Sequence, residues 1–147
     1  MSAGTVRRLT TVLIVDAIEP VLPFWVERLG FTVAAEVPHG DALGFVILVK
    51  DGVELMYQTR ASVADDAPAL VPTGEPTRVA TALFLEVEDL DVVATALAEL
   101  ELALPRRRTF YGMEELGVRE PGGRLVMFAQ PIAADPTAEP AVEPTGV

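Results

Sequence analysis

The sequence predicts an α+β fold made of two tandem copies of one strand–helix–strand–strand–strand unit. Three observations support this prediction: β-branched apolar runs alternate with helical stripes, the order of elements occurs twice, and two pairs of landmarks recur at nearly one spacing. Asp16 and Asp89 each follow an apolar strand and lie 73 residues apart, whereas the turn glycines Gly52 and Gly123 lie 71 apart. Because these spacings agree within two residues, we infer a duplicated unit.

The first unit begins with a strand and a helix. Leu9–Val15 is rich in β-branched and apolar residues, and the Asp16 side chain that follows is suited to cap a helix. Apolar residues at helical spacing predict a helix over Ile18–Leu29 that Gly30 ends, although Pro23 removes a backbone donor just past its first turn. Three strands are predicted next: Phe31–Val37, Leu43–Lys50 and Val53–Gln58.

The second unit repeats this order with shorter strands. Thr81–Val87 predicts the first strand, and Asp89 is placed to cap the helix. Four apolar residues form the stripe that predicts this helix: Leu90, Val93, Leu97 and Leu100. The remaining strands are predicted around Ala103, at Gly117–Arg119 and at Leu125–Ala129.

The domain organisation follows from these elements. Residues 1–8 form an N-terminal arm, residues 9–58 the first unit and residues 79–130 the second. Between the units, residues 59–78 lack periodicity and predict a linker or a surface loop. The tail 131–147 has four prolines, three carboxylates and no aromatic residue, a composition typical of a disordered segment.

Composition limits the classes of function. A chain of 147 residues buries one sizeable core, and its net charge of −11 opposes binding to nucleic acid or to an anionic membrane surface. With no cysteine, neither a disulfide framework nor thiolate chemistry is available, which suits a reducing cytoplasm. The apolar run after the N-terminal arginines is interrupted by Asp16, Glu19 and Pro20, so we expect no signal peptide or membrane span and a soluble, cytoplasmic protein.

Five segments resemble the vicinal oxygen chelate superfamily, which includes glyoxalases, bleomycin-resistance proteins and dioxygenases. These segments are Phe24–Phe31, Asp51–Gln58, Leu85–Asp91, Thr109–Gly112 and Glu120–Gln130. Together they span about residues 9 to 130. The resemblance implies two βαβββ modules whose curled mixed sheets surround a shared concave cavity, commonly in a homodimer.

The resemblance also allows a test of the metal site. Metal-dependent members of the superfamily use two histidines and two glutamates, which suit a divalent transition metal while leaving positions open for substrate. By the superfamily pattern, three of the four ligand positions fall at Leu9, Ala82 and Met127, and only Glu54 retains a ligating side chain. We therefore expect no metal and no other cofactor.

Strand alternation and the resemblance together predict which residues line a ligand-binding cavity. Glu54 is equally consistent with a cavity carboxylate, which serves as a weak candidate catalytic base, and with a solvated strand residue, whereas a solvated loop position is favoured for His39. Leu13 is a further candidate, for which core packing is favoured. The predicted cavity residues are Leu9, Thr11, Phe45, Ile47, Glu54, Met56, Ala82, Phe84, Arg106, Phe110, Tyr111 and Met127.

Two further groups of candidates are an aromatic pair in a loop and a cluster of arginines. The aromatic pair Phe110 and Tyr111 is suited to stack on a planar ligand or, equally, to anchor its own loop. Arg106 and Arg108 share one face if the strand alternates strictly, and one of them is then placed to pair with an anionic ligand group; a solvated basic face is the favoured alternative.

Three functions remain open at this stage. The favoured one is a metal-free protein that binds and sequesters a small, partly aromatic molecule, as bleomycin-resistance proteins do. The alternative is an enzyme of the same fold, of lyase, isomerase or dioxygenase type, that uses Glu54 or Tyr111 as acid or base, with or without a metal. A third is an interaction module whose linker or tail contacts a protein partner.

Overall fold

The computed structural model describes residues 4–71 and 81–133. The chain divides into two compact units, Met1–Glu75 and Pro76–Val147, which we call the first and second modules. Their division falls within the predicted linker 59–78, and the module boundaries at 9–58 and 79–130 stay predictions. Residues 1–3 of the predicted arm, 72–80 of the linker and 134–147 of the tail lie outside the described residues.

The first module is a four-stranded mixed sheet. Its strands run in the order β1-β4-β3-β2, with β1 parallel to β4 and the other neighbours antiparallel. The strands are β1 (Thr11–Val15), β2 (Thr32–His39), β3 (Ala42–Lys50) and β4 (Val53–Thr59). The predicted strands are thus confirmed, with ends that differ by one or two residues.

The connection between β1 and β2 differs from the continuous helix predicted over Ile18–Leu29. It consists of a 3-10 turn at Glu19–Val21 and a π-helix at Pro23–Arg28. Pro20 and Pro23 lack the backbone donors that a continuous α-helix needs, and each lies at the start of its own short helix, where a missing N–H costs least. The prediction of one regular helix is therefore wrong.

Aromatic residues form the core of the first module. Trp25 makes edge-to-face contacts with Phe24 and Phe31, at ring-centroid distances of 5.0 and 5.1 Å. Its Nε1 also donates a buried hydrogen bond of 2.8 Å to the Tyr57 hydroxyl on β4. These contacts fix the π-helix against one face of the sheet, and they place Phe24 and Trp25 in the core.

A short helix follows β4 in the segment predicted as a linker. Helix α1 (Arg60–Asp66) begins at Thr59, whose side chain accepts a hydrogen bond from the Ser62 backbone N–H, and a 3-10 turn at Pro68–Leu70 follows it. Only Val63 of this helix is buried. One buried residue in two turns leaves no periodic stripe, which explains why the sequence pattern did not predict α1.

The second module has the same topology. Its sheet has the order β5-β8-β7-β6, with β5 parallel to β8. The elements are β5 (Ala82–Glu86), α2 (Leu90–Ala96), β6 (Leu102–Arg108), β7 (Met113–Arg119) and β8 (Leu125–Pro131). Two mixed sheets with few helices confirm the predicted α+β class and its two-module organisation.

Helix α2 begins as predicted and ends early. The Asp89 carboxylate accepts hydrogen bonds from the backbone N–H groups of Asp91 and Val92, which confirms the predicted cap. The helix stops at Ala96, whereas the apolar stripe predicted it to continue to Leu100. None of the helices in residues 4–71 and 81–133 is long and apolar enough to span a membrane.

Candidate ligand-binding faces

Each sheet has one face covered by its helix and one face that we call the open face. In the first module Leu13, Leu48 and Tyr57 are buried on the helix-covered side, together with Trp25. Strand alternation and register place the neighbouring residues on the other side. The open face of the first module comprises Val12, Ile14, Phe45, Ile47, Glu54, Met56 and Gln58.

The second module is arranged in the same way. Leu116, Val118, Val126 and Phe128 are buried on the side of α2, where the Gln130 side chain accepts a hydrogen bond from the Leu90 N–H. The open face of the second module comprises Ala82, Phe84, Glu86, Arg107, Glu115, Gly117, Met127 and Ala129. Phe84 remains 53% exposed there. Both open faces thus present apolar side chains.

Comparison of the strand pairings within the two sheets corrects the sequence alignment of the two modules. Val12 pairs with Met56, and Phe84 pairs with Met127 in the same way, so the first strands correspond at a spacing of 72 residues rather than the 73 inferred from Asp16 and Asp89. A shift of one residue exchanges the two faces of a strand. The predicted helix cap Asp89 therefore corresponds to Ala17.

This correction changes the predicted cavity residues on β1. Thr11 and Leu13 lie on the helix-covered side, and Leu13 is buried in the core, so neither lies on the open face. Leu9 precedes the strand and is exposed to solvent. By the 72-residue spacing the counterpart of Ala82 is Thr10, which sequence reasoning missed because the two aspartates offered a misleading landmark.

Glu54 lies in a shallow cavity at one end of the open face of the first module. The cavity, of about 350 Å³, is formed by the strand ends and the Asp-Gly turn and is lined by Arg8, Leu9, Thr10, Val49, Gly52, Val53 and Glu54. Arg8 Nη1 lies 3.2 Å from Glu54 Oε2, and the Thr10 hydroxyl donates to Glu54 Oε1 over 3.4 Å. The Glu54 side chain is 21% exposed, so both of its oxygens are held without being fully withdrawn from solvent.

A β-bulge decides which arginine of Arg106–Arg108 reaches the open face. Leu104 pairs with Gly117, but Arg107 pairs with Glu115, so three residues of β6 lie opposite two steps of β7. Arg106 consequently points to the side of α2. Its guanidinium contacts Asp91 and Glu114 at 2.7 and 2.8 Å, and the hydrogen bond to Glu114 is the main reason that its pKa is raised.

The prediction of Arg106 as a cavity residue is therefore corrected, because Arg106 lies on the side of α2 and not on the open face. Arg107 takes that place instead. Its Nε and Nη2 lie 2.9 and 2.7 Å from Glu115 Oε1, and the Tyr111 hydroxyl donates to Glu115 Oε2 over 2.9 Å. Glu115 is fully buried, whereas the Arg107 side chain is 54% exposed. Opposite charges eight residues apart, on either side of the turn between β6 and β7, are the sequence signal that could have indicated this pair.

Burial, followed by the hydrogen bond to Glu115, raises the pKa of Tyr111 above its ordinary value of 10.0. A phenol with a raised pKa stays protonated near neutral pH. Tyr111 is therefore a hydrogen-bond donor to Glu115 and not a general base. This arrangement counts against the acid–base role considered for Tyr111.

The turn that carries Tyr111 is held by hydrogen bonds. The Thr109 N–H donates to the Met113 carbonyl, the Met113 N–H donates to the Thr109 hydroxyl, and the Ile132 N–H donates to the Gly112 carbonyl. Phe110 lies at the tip, 87% exposed, with its ring 5.1 Å from that of Tyr111 in an edge-to-face contact. Both alternatives for this pair thus have a structural basis: Tyr111 anchors the turn, and Phe110 is presented to solvent.

His39 has a partner that the sequence did not indicate. Its Nε2 lies 2.7 Å from Asp65 Oδ2 on α1, although Asp41 is the nearer carboxylate in the sequence. Gly44 lies close to both β2 and α1, since a Cβ placed there would be 2.5 Å from the His39 Cβ and 3.2 Å from the Ser62 Cβ. The pair connects the end of β2 to α1 at the surface of the first module.

Seven of the predicted cavity residues lie on the two open faces: Phe45, Ile47, Glu54, Met56, Ala82, Phe84 and Met127. Leu9, Thr11 and Arg106 do not, and Phe110 and Tyr111 lie in the turn before β7. Ligand binding by any of these residues stays a prediction.

Solved structures similar to this chain were found across most of its length. A glyoxalase/bleomycin resistance protein/dioxygenase from Nocardioides aligns with a TM-score of 0.69 at 14% identity, covering 93% of this chain and 92% of its own. Lactoylglutathione lyase from Agrobacterium tumefaciens aligns with a TM-score of 0.65 at 17% identity, covering 86% and 95%. TioX from Micromonospora sp. ML1 gives 0.62 at 18%, covering 86% and 99%.

The chain has the vicinal oxygen chelate fold. No protein-family model matches it, and no curated protein matches it at a significant level. At identities of 14 to 18%, the likeness to the three solved structures shows the fold alone. Function has to be argued from the side chains that this fold places on its open faces.

The metal ion of metal-dependent vicinal oxygen chelate proteins does not fit these side chains. The counterpart of Glu54 in the second module is Leu125, two residues before Met127, just as Glu54 is two before Met56. Neither Leu125 nor Met127 offers a carboxylate or imidazole. Within residues 4–71 and 81–133, no three His, Cys, Asp or Glu side chains come close enough together to hold a metal.

Proposed function

We propose that this chain binds and sequesters a small, partly aromatic organic molecule on its open faces, without using a metal. One observation carries the proposal: the open faces combine partly exposed apolar side chains with carboxylates that are already paired. Val12 and Phe84 are 47% and 53% exposed, while Glu54 and Glu115 each have both oxygens in contact with a donor. Exposed apolar surface favours ligand binding, and carboxylate oxygens that already contact donors within the chain are less free to contact a substrate proton.

The charges also indicate which ligands to test first. The net charge of −11 disfavours an anionic ligand except at a local positive group. Since Arg8 beside Glu54 and Arg107 beside Glu115 are each already paired with a carboxylate, neutral and cationic molecules are favoured over anions. Neutral aromatic natural products and antibiotics therefore form the first screening panel.

Thermal-shift measurements on the purified chain test the proposal. A ligand that binds only the folded state raises its melting temperature by mass action. For each compound that does so, Val12→Ser on the open face is compared with Val92→Ser on α2, a residue of the same type that is 65% exposed on the other side of its sheet. We expect about fivefold weaker binding for Val12→Ser and no change for Val92→Ser. Equal effects of the two changes would count against the open face.

Metal content is a separate test. We expect elemental analysis of protein purified without chelators to find no stoichiometric Fe, Mn, Ni or Zn. A tightly bound metal at one equivalent would overturn the metal-free part of the proposal.

The second candidate is an enzyme that uses Glu54, and the cavity around Glu54 is the observation that favours it. Arg8, whose side chain is mostly exposed, is the group that a cationic or hydroxylated substrate would displace. Glu54→Gln separates the two functions. If binding survives in Glu54→Gln and neither protein turns over the bound compound, sequestration is supported; turnover that Glu54→Gln abolishes would establish the enzyme.

A homodimer and a cytoplasmic location remain expectations that rest on the resemblance and on composition. Light scattering coupled to size-exclusion chromatography tests the dimer. A monomer across the micromolar range would remove that expectation without affecting the binding proposal.

A further inference from the structure

The guanidinium of Arg107 is fixed in place by a buried carboxylate. Two of its nitrogens, Nε and Nη2, contact one oxygen of Glu115, and Tyr111 holds the other oxygen. Because Glu115 is fully buried and bonded on both oxygens, it has little freedom to move. The orientation of the planar guanidinium is therefore set before any ligand arrives.

Part of this guanidinium has no partner. An arginine has five N–H donors, and the contacts with Glu115 use one on Nε and one on Nη2. In the described part of the chain, Nη1 has no hydrogen-bond partner, and the side chain is 54% exposed. Arg107 thus presents oriented donors at the border of the open face of the second module.

The apolar residues nearest to these donors lie in the next row of side chains on the same face of the sheet. Arg107, Glu115, Ala129 and Glu86 form one row across the sheet, and the next row on the same face contains Met127 and Phe84. Successive rows on one face lie about 7 Å apart, since each strand advances about 3.4 Å per residue. Neighbouring strands lie about 4.8 Å apart, so from Glu115, which the Arg107 guanidinium contacts on β7, Met127 lies one strand across and one row along, and Phe84 lies one strand farther. A fused two-ring ligand with a polar substituent is long enough to cover this distance.

We propose that Arg107 is a polar anchor that donates hydrogen bonds to a neutral carbonyl or phenolic oxygen of an aromatic ligand lying on Met127 and Phe84. This inference rests on the proposed function and specifies the ligand class. Neutrality follows from the charges, because Glu115 cancels the charge of Arg107 and Glu86 ends the same row. An anionic group would meet two carboxylates for one arginine.

The experiment compares three probes of similar shape. 2-Acetylnaphthalene carries a neutral carbonyl, 2-ethylnaphthalene replaces that oxygen with carbon, and 2-naphthoate carries an anion. Dissociation constants are measured by calorimetry or fluorescence with the full chain. We expect the ketone to bind about five- to tenfold more tightly than the hydrocarbon, the range for one ordinary hydrogen bond, since Glu115 already neutralises the charge of Arg107, and we expect the anion to bind no better than the hydrocarbon.

Variants assign this preference to Arg107. Arg107→Met keeps a stem of similar length without donors, and we expect it to abolish the difference between ketone and hydrocarbon. Because Arg107→Met alone leaves Glu115 buried and unpaired, the double variant Arg107→Met/Glu115→Gln is measured beside it; there the new amide keeps a partner in Tyr111. Arg106→Met, on the same strand but on the side of α2, is the control with the same loss of charge.

The outcomes separate the anchor from the proposed function. Equal binding of ketone and hydrocarbon to the unmodified protein, or a preference that survives in both Arg107 variants, would overturn the anchor and leave apolar binding standing. Tighter binding of 2-naphthoate than of the ketone would overturn the neutral ligand class. If none of the probes binds at millimolar concentration, the apolar face of the second module is not a binding surface, and the anchor fails with it.

Discussion

Glu54 in the first module and Glu115 in the second are both paired with an arginine and a hydroxyl group, yet their surroundings are opposite. Glu54 is 21% exposed, and its partner Arg8 comes from the N-terminal arm, where the arginine side chain is mostly in solvent. Glu115 is fully buried, and both of its partners come from the adjacent β6 strand and the turn that follows it. The same chemical pairing therefore has different consequences: Glu54 is available for exchange of partners, whereas Glu115 holds other groups in position.

The largest difference between the two carboxylates is expected in stability. We expect Glu115→Ala to lower the free energy of unfolding by about 2 to 4 kcal/mol, because it removes three charge-assisted contacts and leaves a cavity. Glu54→Ala is expected to lower it by less than about 1 kcal/mol, as for an ion pair with an exposed arginine. Urea unfolding followed by circular dichroism measures both. Equal losses would contradict the contrast between a buried and an exchangeable pair.

The hydroxyl partners should differ in the same direction, with smaller effects. Tyr111→Phe removes a 2.9 Å hydrogen bond to the buried Glu115 and is expected to cost about 1 kcal/mol. Thr10→Val removes a 3.4 Å hydrogen bond to Glu54, and a cost below about 0.5 kcal/mol is expected for so long a contact. The same urea titration applies. A larger loss of unfolding free energy for Thr10→Val than for Tyr111→Phe would contradict the view that the Glu115 pairing is the more important one for stability.

The pH dependence of stability should report the environment of Tyr111. Its pKa is raised in the folded state, mainly by burial, so the stability it contributes is fully present below its unfolded pKa of about 10 and is lost as pH rises through the higher folded value. We expect the stability difference between the unmodified protein and Tyr111→Phe to be constant from pH 7 to about 9 and to shrink above about 10. If the stability difference between the two proteins increased above about pH 10, the raised pKa of Tyr111 in the folded state would be contradicted.

The smallest expected effect concerns the arm. Arg8→Ala should lower the free energy of unfolding by less than about 0.5 kcal/mol at low salt, and the difference should vanish in about 0.5 M NaCl, where exposed charges are screened. The stability lost in Glu115→Ala should persist in the same salt. A salt-insensitive loss in Arg8→Ala would place Glu54 in the same class as Glu115.

Several features of the fold were predictable because they depend on local pattern. Alternating apolar residues predicted the strands, the duplicated order predicted two modules, and the Asp89 cap was located to the residue. Pro23 marked a weakness in the first predicted helix, but the resulting 3-10 turn and π-helix depend on how Trp25 packs against Tyr57. A pattern of hydrophobicity carries no information about that contact.

The candidate site was predicted less completely. Phe45, Ile47, Glu54 and Met56 were placed on the open face by simple alternation, which holds along the regular pairing of β3 and β4. Arg106 was predicted as a cavity residue, but irregularities of β6 between Leu102 and Leu104 and between Leu104 and Arg107 decide which side each residue occupies, and Arg107 lies on the open face instead. Nothing in one sequence marks the position of such a bulge.

The sequence by itself determined which residues form strands, that the unit is duplicated, and that His and Glu are lacking at Leu9, Ala82 and Met127, because these properties are read along the chain. Only the tertiary structure decided which face each side chain occupies. A shift of the strand register by one residue exchanges the two faces of a strand. In the structure Thr10 rather than Leu9 is the counterpart of Ala82, and Arg107 rather than Arg106 lies on the open face. The pairing of Glu115 with Arg107 and Tyr111 was likewise decided in three dimensions, since burying a carboxylate is tolerable only where its partners converge.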